Sequence, residues 1–382
     1  MIGLGSKKDS MQVPLYRHNL FNCDIDAVML DMRKVLTGMS ISSGPVSDVV
    51  QDMICEKLKT NHCNLTSSWT TGCIAVLMAF GFKPGSEIII PACTFIATAN
   101  AIRVAGLTPV VVDIDPKTKL IDMDKLLSAI TAKTVAVMPV HLYGQMVDLV
   151  GLRKMLPSKI KIIEDAAHAL EASRDGISPG QITDAAIFSF YASKNLTTGE
   201  GGAVTINDPG LHNRFLKSYR HGVELTGWQR HQTNSYVHAI PESLAIKANM
   251  PDILAVLLKH QLLIIDETQR QRRDISMRYQ NELFGLVEVP YEIPGGTHAR
   301  HMFAIGVSQD KRNRLLDTLV ENGIKPAVHY MSLTQTPALK DLNLPSCPIA
   351  ETWGEQCISI PLFAGMTEEE QSHVINVLKF NL

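Results

Sequence analysis

The 382-residue chain is predicted to be an α/β protein: a large, mostly parallel sheet flanked by helices, then a smaller α+β unit. Three observations predict it. From residue 65 to about 210, short apolar runs alternate with helix-like stretches. The runs are continuous in Ile, Val and Ala without polar alternation, which suits strands buried on both faces. After Pro251 the rhythm changes to a long helical stretch and shorter mixed elements. The expected division is 1–250, a large α/β domain with the N-terminal segment, and 251–382, a connecting helix and a small α+β domain.

The expected strands are Glu87–Pro91, Pro109–Asp113, Thr134–Val140, Lys159–Glu164, Ala185–Phe190 and Gly202–Ile206. Between them, Thr70–Phe82, Phe95–Ala105, Met123–Ile130 and Leu149–Leu156 read as helices, giving βα units wound in one direction. Pro251–Phe284 reads as one long helix or two shorter ones, with Pro251 at a first helical position. The loop Pro290–Gly296 follows. A strand at Met302–Val307, a helix at Lys311–Asn322, an apolar-polar run at Lys325–Tyr330 and a helix at Thr367–Phe380 complete the order.

Composition excludes several classes. Hydrophobic residues make up 45% and the formal net charge is −2, so a disordered chain is excluded. The near-neutral balance argues against a nucleic-acid coat. Charged residues are 19%, below the roughly 25% of an average soluble domain, which points to surface covered by another subunit. No run of 18 apolar residues predicts a membrane span, and the start lacks the apolar stretch of a secretory signal. The seven scattered cysteines contain no C-x-x-C pair and read as free thiols in a reducing cytoplasm, with Cys73 and Cys93 as small core residues.

In open α/β sheets, ligands bind beyond the carboxyl ends of the strands. Asp165 follows the run KIKIIE, Ser189 lies near the end of AAIFSF, and Lys194 comes five residues later. The glycine-rich turn Thr197–Gly202 leads into the next strand. Earlier, Ser67-Ser68-Trp69-Thr70-Thr71-Gly72 opens a helix with hydroxyl residues, where free N–H groups and the helix dipole favour a phosphate. A lysine amine, a carboxylate and a phosphate cradle on one sheet edge are the parts a pyridoxal phosphate enzyme needs. Each has a structural reading beside the functional one: surface lysine, helix cap, turn residue.

Five stretches in order, from about residue 40 to 380, carry a resemblance. They are GFKPGSEIIIPACTFIATANAIRVAGLTPVVVDID, AITAKTVAVMPVHLYGQMVDL, IIEDAAHAL, AIFSFYASKNLTTGEGGAV and CISIPLFAGMTEEEQSHVI. The chain resembles the DegT/DnrJ/EryC1/StrS family of nucleotide-sugar aminotransferases, fold-type I pyridoxal phosphate enzymes. The resemblance implies Lys194 as the Schiff-base lysine and proton shuttle, and Asp165 as the partner of the pyridine nitrogen. It implies His168 beside the ring's oxygen side, Phe95 stacked on the ring, and Thr70, Thr71 and Ser189 on the phosphate. It also implies Asn249 reaching the phosphate of a neighbouring subunit, hence a homodimer with shared sites. Val328–Tyr330 and Ser359–Phe363 look most like enzymes aminating C4 of a UDP-linked 4-keto sugar, of the 4-amino-arabinose type first and the pseudaminic-acid-pathway type second. His329 and Tyr330 become the candidate substrate contacts, and L-glutamate the amino donor.

The chain departs from the family pattern in places. Trp69 fills a slot usually held by a small residue, Glu171 stands where glycine is expected after a helix start at Asp165, and Val223–Ser243 matches poorly. Two rivals share the cofactor. A sugar dehydratase has histidine in place of the lysine, and Lys194 disfavours it. A regulatory member would bind the cofactor without turnover. Histidines 212, 221, 231 and 238 lack metal-ligand spacing, so no metal is expected, and Arg270–Arg273 reads as a solvated helix face. Gly199–Gly202 precedes a strand, so it is no dinucleotide fingerprint.

Overall fold

The computed structural model describes residues 11–38, 40–223 and 240–382. His231, His238 and most of the divergent 223–243 stretch lie outside the described residues. Two helices, α1 (Ile25–Leu36) and α2 (Pro45–Leu58), precede the sheet. Then come β1 (His62–Thr66), α3 (Trp69–Phe80), β2 (Glu87–Pro91), α4 (Ala97–Val104) and β3 (Thr108–Val112). They are followed by α5 (Met123–Ser128), β4 (Thr134–Val137), α6 (Leu149–Met155), β5 (Lys161–Asp165), β6 (Ser173–Arg174), β7 (Ala185–Ser189), β8 (Gly202–Ile206) and α7 (Pro209–Ser218).

Seven of these strands form one sheet in the order β1-β8-β7-β5-β4-β2-β3. The pairs from β7 to β3 are parallel, and β8 runs antiparallel to both β1 and β7. This is the mostly parallel sheet expected from the apolar runs. The strand not foreseen is β1. Its residues His62, Asn64 and Thr66 show no apolar run, yet it pairs along its whole length with β8, from His62↔Ile206 to Thr66↔Gly202. Long-range pairing overrides a weak local signal there.

The second part of the chain holds α8 (Asp252–Leu263), α9 (Ile265–Leu283), β9 (Gly296–Thr297), β10 (Phe303–Gly306), α10 (Gln309–Glu321), α11 (Pro348–Gln356), β11 (Cys357–Ile360) and α12 (Glu368–Asn381). The expected Pro251–Phe284 helix is therefore two helices broken at Ile264 (φ −114°). Pro251 is extended (ψ 142°) and caps α8 from outside, so the first helical position is Asp252, whose carboxylate accepts from Ser47 N–H and Oγ of α2. Thr367 and Glu370 form a reciprocal capping box at the start of α12.

The core around the large sheet includes Ile88–Ile90, Ala136–Met138 and Ile162–Ile163, all at 0% exposure. A second core joins α9, β10, α10, β11 and α12, and Val13 of the N-terminal stretch packs into it through a bridge to Ile324. All seven cysteines are free thiols, and Cys73 and Cys93 are buried, as expected of small core residues. Among the described residues no helix is long and apolar enough to cross a membrane.

Candidate active site

The register of one parallel and two antiparallel pairings brings the functional residues together. On β5 Asp165 pairs with Ile187 of β7, two residues before Ser189. Ser189 lies opposite Gly202, which lies opposite Thr66 at the end of β1. One edge thus carries, side by side, a carboxylate, a hydroxyl and the start of α3.

The close approach at that edge depends on glycine. A Cβ at Gly202 would sit 2.7 Å from the Phe188 carbonyl oxygen and 2.8 Å from the Ser68 backbone. One at Gly72 would meet Thr66 Oγ1 and Val204 at 3.0 Å. These two positions let the first turn of α3 rest against the sheet. Ser68 caps α3, its side chain accepting from Thr71 N–H at 3.1 Å. Thr71 Oγ1 lies 2.9 Å from Ser67 Oγ and 3.0 Å from Ser68 Oγ. Thr70 is half-buried, with no hydrogen bond from its hydroxyl among the described residues. Hydroxyls and unpaired N–H groups at a helix start form an anion cradle.

Asp165 is buried, and its carboxylate accepts from Thr98 Oγ1 at 2.9 Å and from Ala167 N–H at 3.2 Å. Burial raises its pKa, and these two bonds and the Lys194 charge only partly oppose that. Among the described residues it has no ion-pair partner. The chain past Asp165 forms turns, not the helix start expected from sequence. Thr98, on the first turn of α4 and 2.9 Å from Thr94 in the loop before it, has no sequence signal of its own.

Lys194 sits in the loop between β7 and β8, which is closed by Lys194 N–H to Tyr191 O and Thr198 N–H to Phe190 O. Its side chain is half-buried in a pocket with Ala166–Glu171, Phe188–Phe190, Asn195, Leu196 and His301. It makes no hydrogen bond or ion pair among the described residues. Burial pushes its pKa down to about 8, against the opposing pull of Asp165.

His168 is buried and held neutral by desolvation, with the Lys194 charge adding to the effect. Its Nδ1 accepts from Tyr143 N–H at 3.2 Å, so the ring proton is on Nε2, 3.5 Å from Tyr330 Oη. Tyr143 has φ 59° and Gly144 φ 101°. A Cβ at Gly144 would come 3.0 Å from the His168 carbonyl oxygen, so this turn needs glycine to reach His168.

Phe95 is 58% exposed, its ring centroid 5.8 Å from that of Tyr330. Tyr330 lies 6.4 Å from the His168 ring. His329 Nδ1 lies 2.9 Å from Ser359 Oγ of β11, and burial lowers its pKa to about 4, with the Lys194 charge adding to the effect. The structure therefore gathers Lys194, Asp165, His168, Ser189, Phe95 and Tyr330 around one cleft, with His329 next to Tyr330.

Asn249 is elsewhere. It bridges Thr66 through the backbone, and its side-chain amide donates to Ser43 Oγ at 3.1 Å and Ser42 Oγ at 3.3 Å. It lines a separate hollow with Ser43, Ser47, Gln51 and Arg220, and its Oδ1 is buried without a partner among the described residues. Two departures from expectation are resolved by packing. Glu171 is buried in an ion pair with Arg272. The Arg270–Arg273 stretch is thus not wholly a solvated face: Arg270 and Arg273 are exposed, whereas the Arg272 side chain is 3% exposed.

The sequence and fold now decide the relationship. A model of the DegT/DnrJ/EryC1/StrS aminotransferase family matches residues 22–379. The chain belongs to the DegT/DnrJ/EryC1/StrS aminotransferase family. It is 33% identical over 354 residues to the spore coat polysaccharide biosynthesis protein SpsC of Bacillus subtilis, covering 89% of this chain and 90% of that one. DesV of S. venezuelae, solved with a ketimine intermediate, superposes with a TM-score of 0.88 at 27% identity, covering 97% of this chain and 98% of DesV. Spr1654 of Streptococcus pneumoniae in its PLP-form gives a TM-score of 0.85 at 29% identity, over 94% and 98% of the two chains. The fold is that of pyridoxal phosphate-dependent aminotransferases, as the resemblance implied.

The cofactor is pyridoxal 5′-phosphate. The residues fit it on their own evidence. The uncompensated Asp165 carboxyl group lacks the counter-charge that a protonated ring nitrogen supplies, the Lys194 amine is free to react, and the glycine-floored cradle holds hydroxyls for a phosphate.

Proposed function

We propose that this protein transfers an amino group from L-glutamate to the keto carbon of a nucleotide-linked sugar, C4 of a 4-keto sugar as in the 4-amino-arabinose type. The observation that carries the reading is Lys194, an amine with no partner among the described residues and a pKa of about 8, beside a buried carboxyl group at the strand ends of an aminotransferase fold. The name of SpsC, a polysaccharide biosynthesis protein, supports a sugar as acceptor.

When bound, pyridoxal phosphate supplies an electron-withdrawing ring that acidifies the carbon beside the transferred nitrogen. Lys194, neutral in a useful fraction near pH 8, would take that carbon's proton and deliver it to the cofactor carbon bonded to the same nitrogen. Asp165, fixed by Thr98 and Ala167, would hold the ring nitrogen protonated. Phe95 would cover one ring face, and His168, with its proton on Nε2, would serve the ring's oxygen side. Thr70, Thr71 and Ser189 would take the phosphate. Tyr330, next to His329, would border the sugar.

The reading extends to a homodimer in which Asn249 reaches the partner's phosphate, and to work in the cytoplasm on cell-surface polysaccharide precursors. Phe21, Ile25, Met29, Leu30 and Leu36 on and before α1 are exposed, which supports a covered face. The division into 1–250 and 251–382 is part of the same reading. The test is a panel of UDP-, GDP- and dTDP-linked 4-keto sugars with L-glutamate, scored by 2-oxoglutarate release. Release with a UDP-linked 4-keto sugar is the expected result; release with none of them, from protein that carries the cofactor, overturns it.

A further inference from the structure

Behind Lys194, a chain of hydrogen bonds sets the chemistry of a buried histidine that no sequence motif marked. The side-chain nitrogen of Asn195 donates to Glu171 Oε1 at 3.2 Å, to Glu171 Oε2 at 3.3 Å and to the Ala299 carbonyl at 2.9 Å. All three neighbours accept, so the amide NH2 must face them and its oxygen must face the other way. That oxygen lies 3.2 Å from His301 Nδ1. An amide oxygen cannot donate, so His301 Nδ1 carries the hydrogen.

His301 is 6% exposed, and burial keeps it neutral by pushing its pKa well below the ordinary value, helped by the nearby Lys194 charge. Its Nε2 is therefore bare, and that atom is buried without a hydrogen-bond partner among the described residues. The ring lines the Lys194 pocket and lies against His168, tilted by 40° with centroids 4.3 Å apart. The two rings are opposite tautomers. His168 presents Nε2–H, because its Nδ1 is occupied by Tyr143 N–H. An orphaned buried acceptor costs free energy unless something bound supplies a donor.

We propose that Glu171 selects the Nδ1–H tautomer of His301 through Asn195, leaving the bare His301 Nε2 as a hydrogen-bond acceptor for a nitrogen-bound proton in the Lys194 pocket. Glu171 and Asn195 are positioning residues. Arg272, buried beside them, donates to Glu171 Oε1, the same oxygen that accepts from Asn195. Glycine, expected at position 171, could not make this selection. The acceptor's use rests on the aminotransferase reading, whereas the tautomer itself is measurable without turnover.

The experiment is nitrogen-15 NMR of the cofactor-loaded protein labelled at its histidines, with the His301 signals assigned by loss in His301→Gln. In the wild type at pH 7, His301 should show a protonated Nδ1 and a bare Nε2, and His168 the reverse. A His301 protonated at Nε2, or at both nitrogens, overturns the proposal. Glu171→Gln should lose the single-tautomer pattern and shift His301 toward Nε2–H; an unchanged pattern removes Glu171 from the selection. Should that variant fail to fold because Arg272 loses its partner, Asn195→Leu keeps the Glu171–Arg272 pair whole. It must release the tautomer too, and retention overturns the chain of bonds. Failure of the sugar panel leaves these spectra unaffected, so the two readings fall separately.

Discussion

The two ends of the cofactor cleft are built on opposite principles. At the ring end, Asp165, His168 and Lys194 are ionisable groups whose protonation is set chiefly by burial and then by the charges and hydrogen bonds around them. At the phosphate end, Ser67, Ser68 and Thr71 are neutral, half-buried hydroxyls bonded to one another. Their partners are exchangeable, because a hydroxyl rotates to suit an incoming oxygen. The ring end is therefore sensitive to charge, and the phosphate end to space.

Five changes separate these behaviours, from the largest expected effect to the smallest. Lys194→Ala removes the proton carrier and should lower turnover on the order of 10³-fold or more. Near-normal 2-oxoglutarate release from this variant would refute the assignment of Lys194. Asp165→Asn keeps the shape and removes the charge, for a loss of roughly 10²–10³-fold. A rate that barely changes would mean that another group sets the ring's electronics. At the phosphate end, Gly202→Ala places a Cβ against backbone and should destabilise the fold by about 1–3 kcal/mol and weaken cofactor retention, read by melting and by absorbance. An unchanged melt would show that the cradle has slack.

The boundary between chains gives the fourth. Mixing inactive Lys194→Ala chains with inactive Asn249→Ala chains should restore part of the activity through hybrid dimers, and no recovery counts against shared sites. The smallest effect is one of pH on the cofactor-free protein. The Lys194 pKa falls from an ordinary 10.5 to about 8 on folding. Below about pH 8 the folded state carries the full cost of a buried ammonium. Between about pH 8 and 10.5 the unfolded chain binds more protons, so stability rises with pH, and above 10.5 the cost is gone. Lys194→Met should then melt above the wild type at pH 7, with the margin closing by pH 10.5. A margin independent of pH would show that the amine is not destabilised by folding.

Legibility from sequence followed the same division. The ring-end residues Asp165, Ser189 and Lys194 were readable because each ends or follows an apolar run, and strand ends are where such sheets bind ligands. His168, Phe95, Tyr330 and Asn249 had no local signal and came from resemblance alone. Thr98 and His301 escaped both. Thr98 acts through a carboxylate 67 positions away, and His301 through an amide 106 positions away, so neither contact has a sequence period. Strand β1 escaped for a related reason: its partner β8 lies more than a hundred residues on, and its own residues are half polar.

The sequence by itself determined the class of the sheet, the positions of the strand ends and the chemical parts needed at them. Periodicity and apolar runs are local properties, and burial on both faces leaves a direct trace in composition. Tertiary structure alone decided which of those parts meet, and in what protonation state. Desolvation of Lys194 and Asp165, the burial of Arg272 against Glu171, and the tautomers of His168 and His301 depend on neighbours contributed by distant segments. The low charged fraction likewise divides. The sequence shows that charge is scarce, and the fold shows one place where charge that is present goes inward, paired behind the reactive lysine.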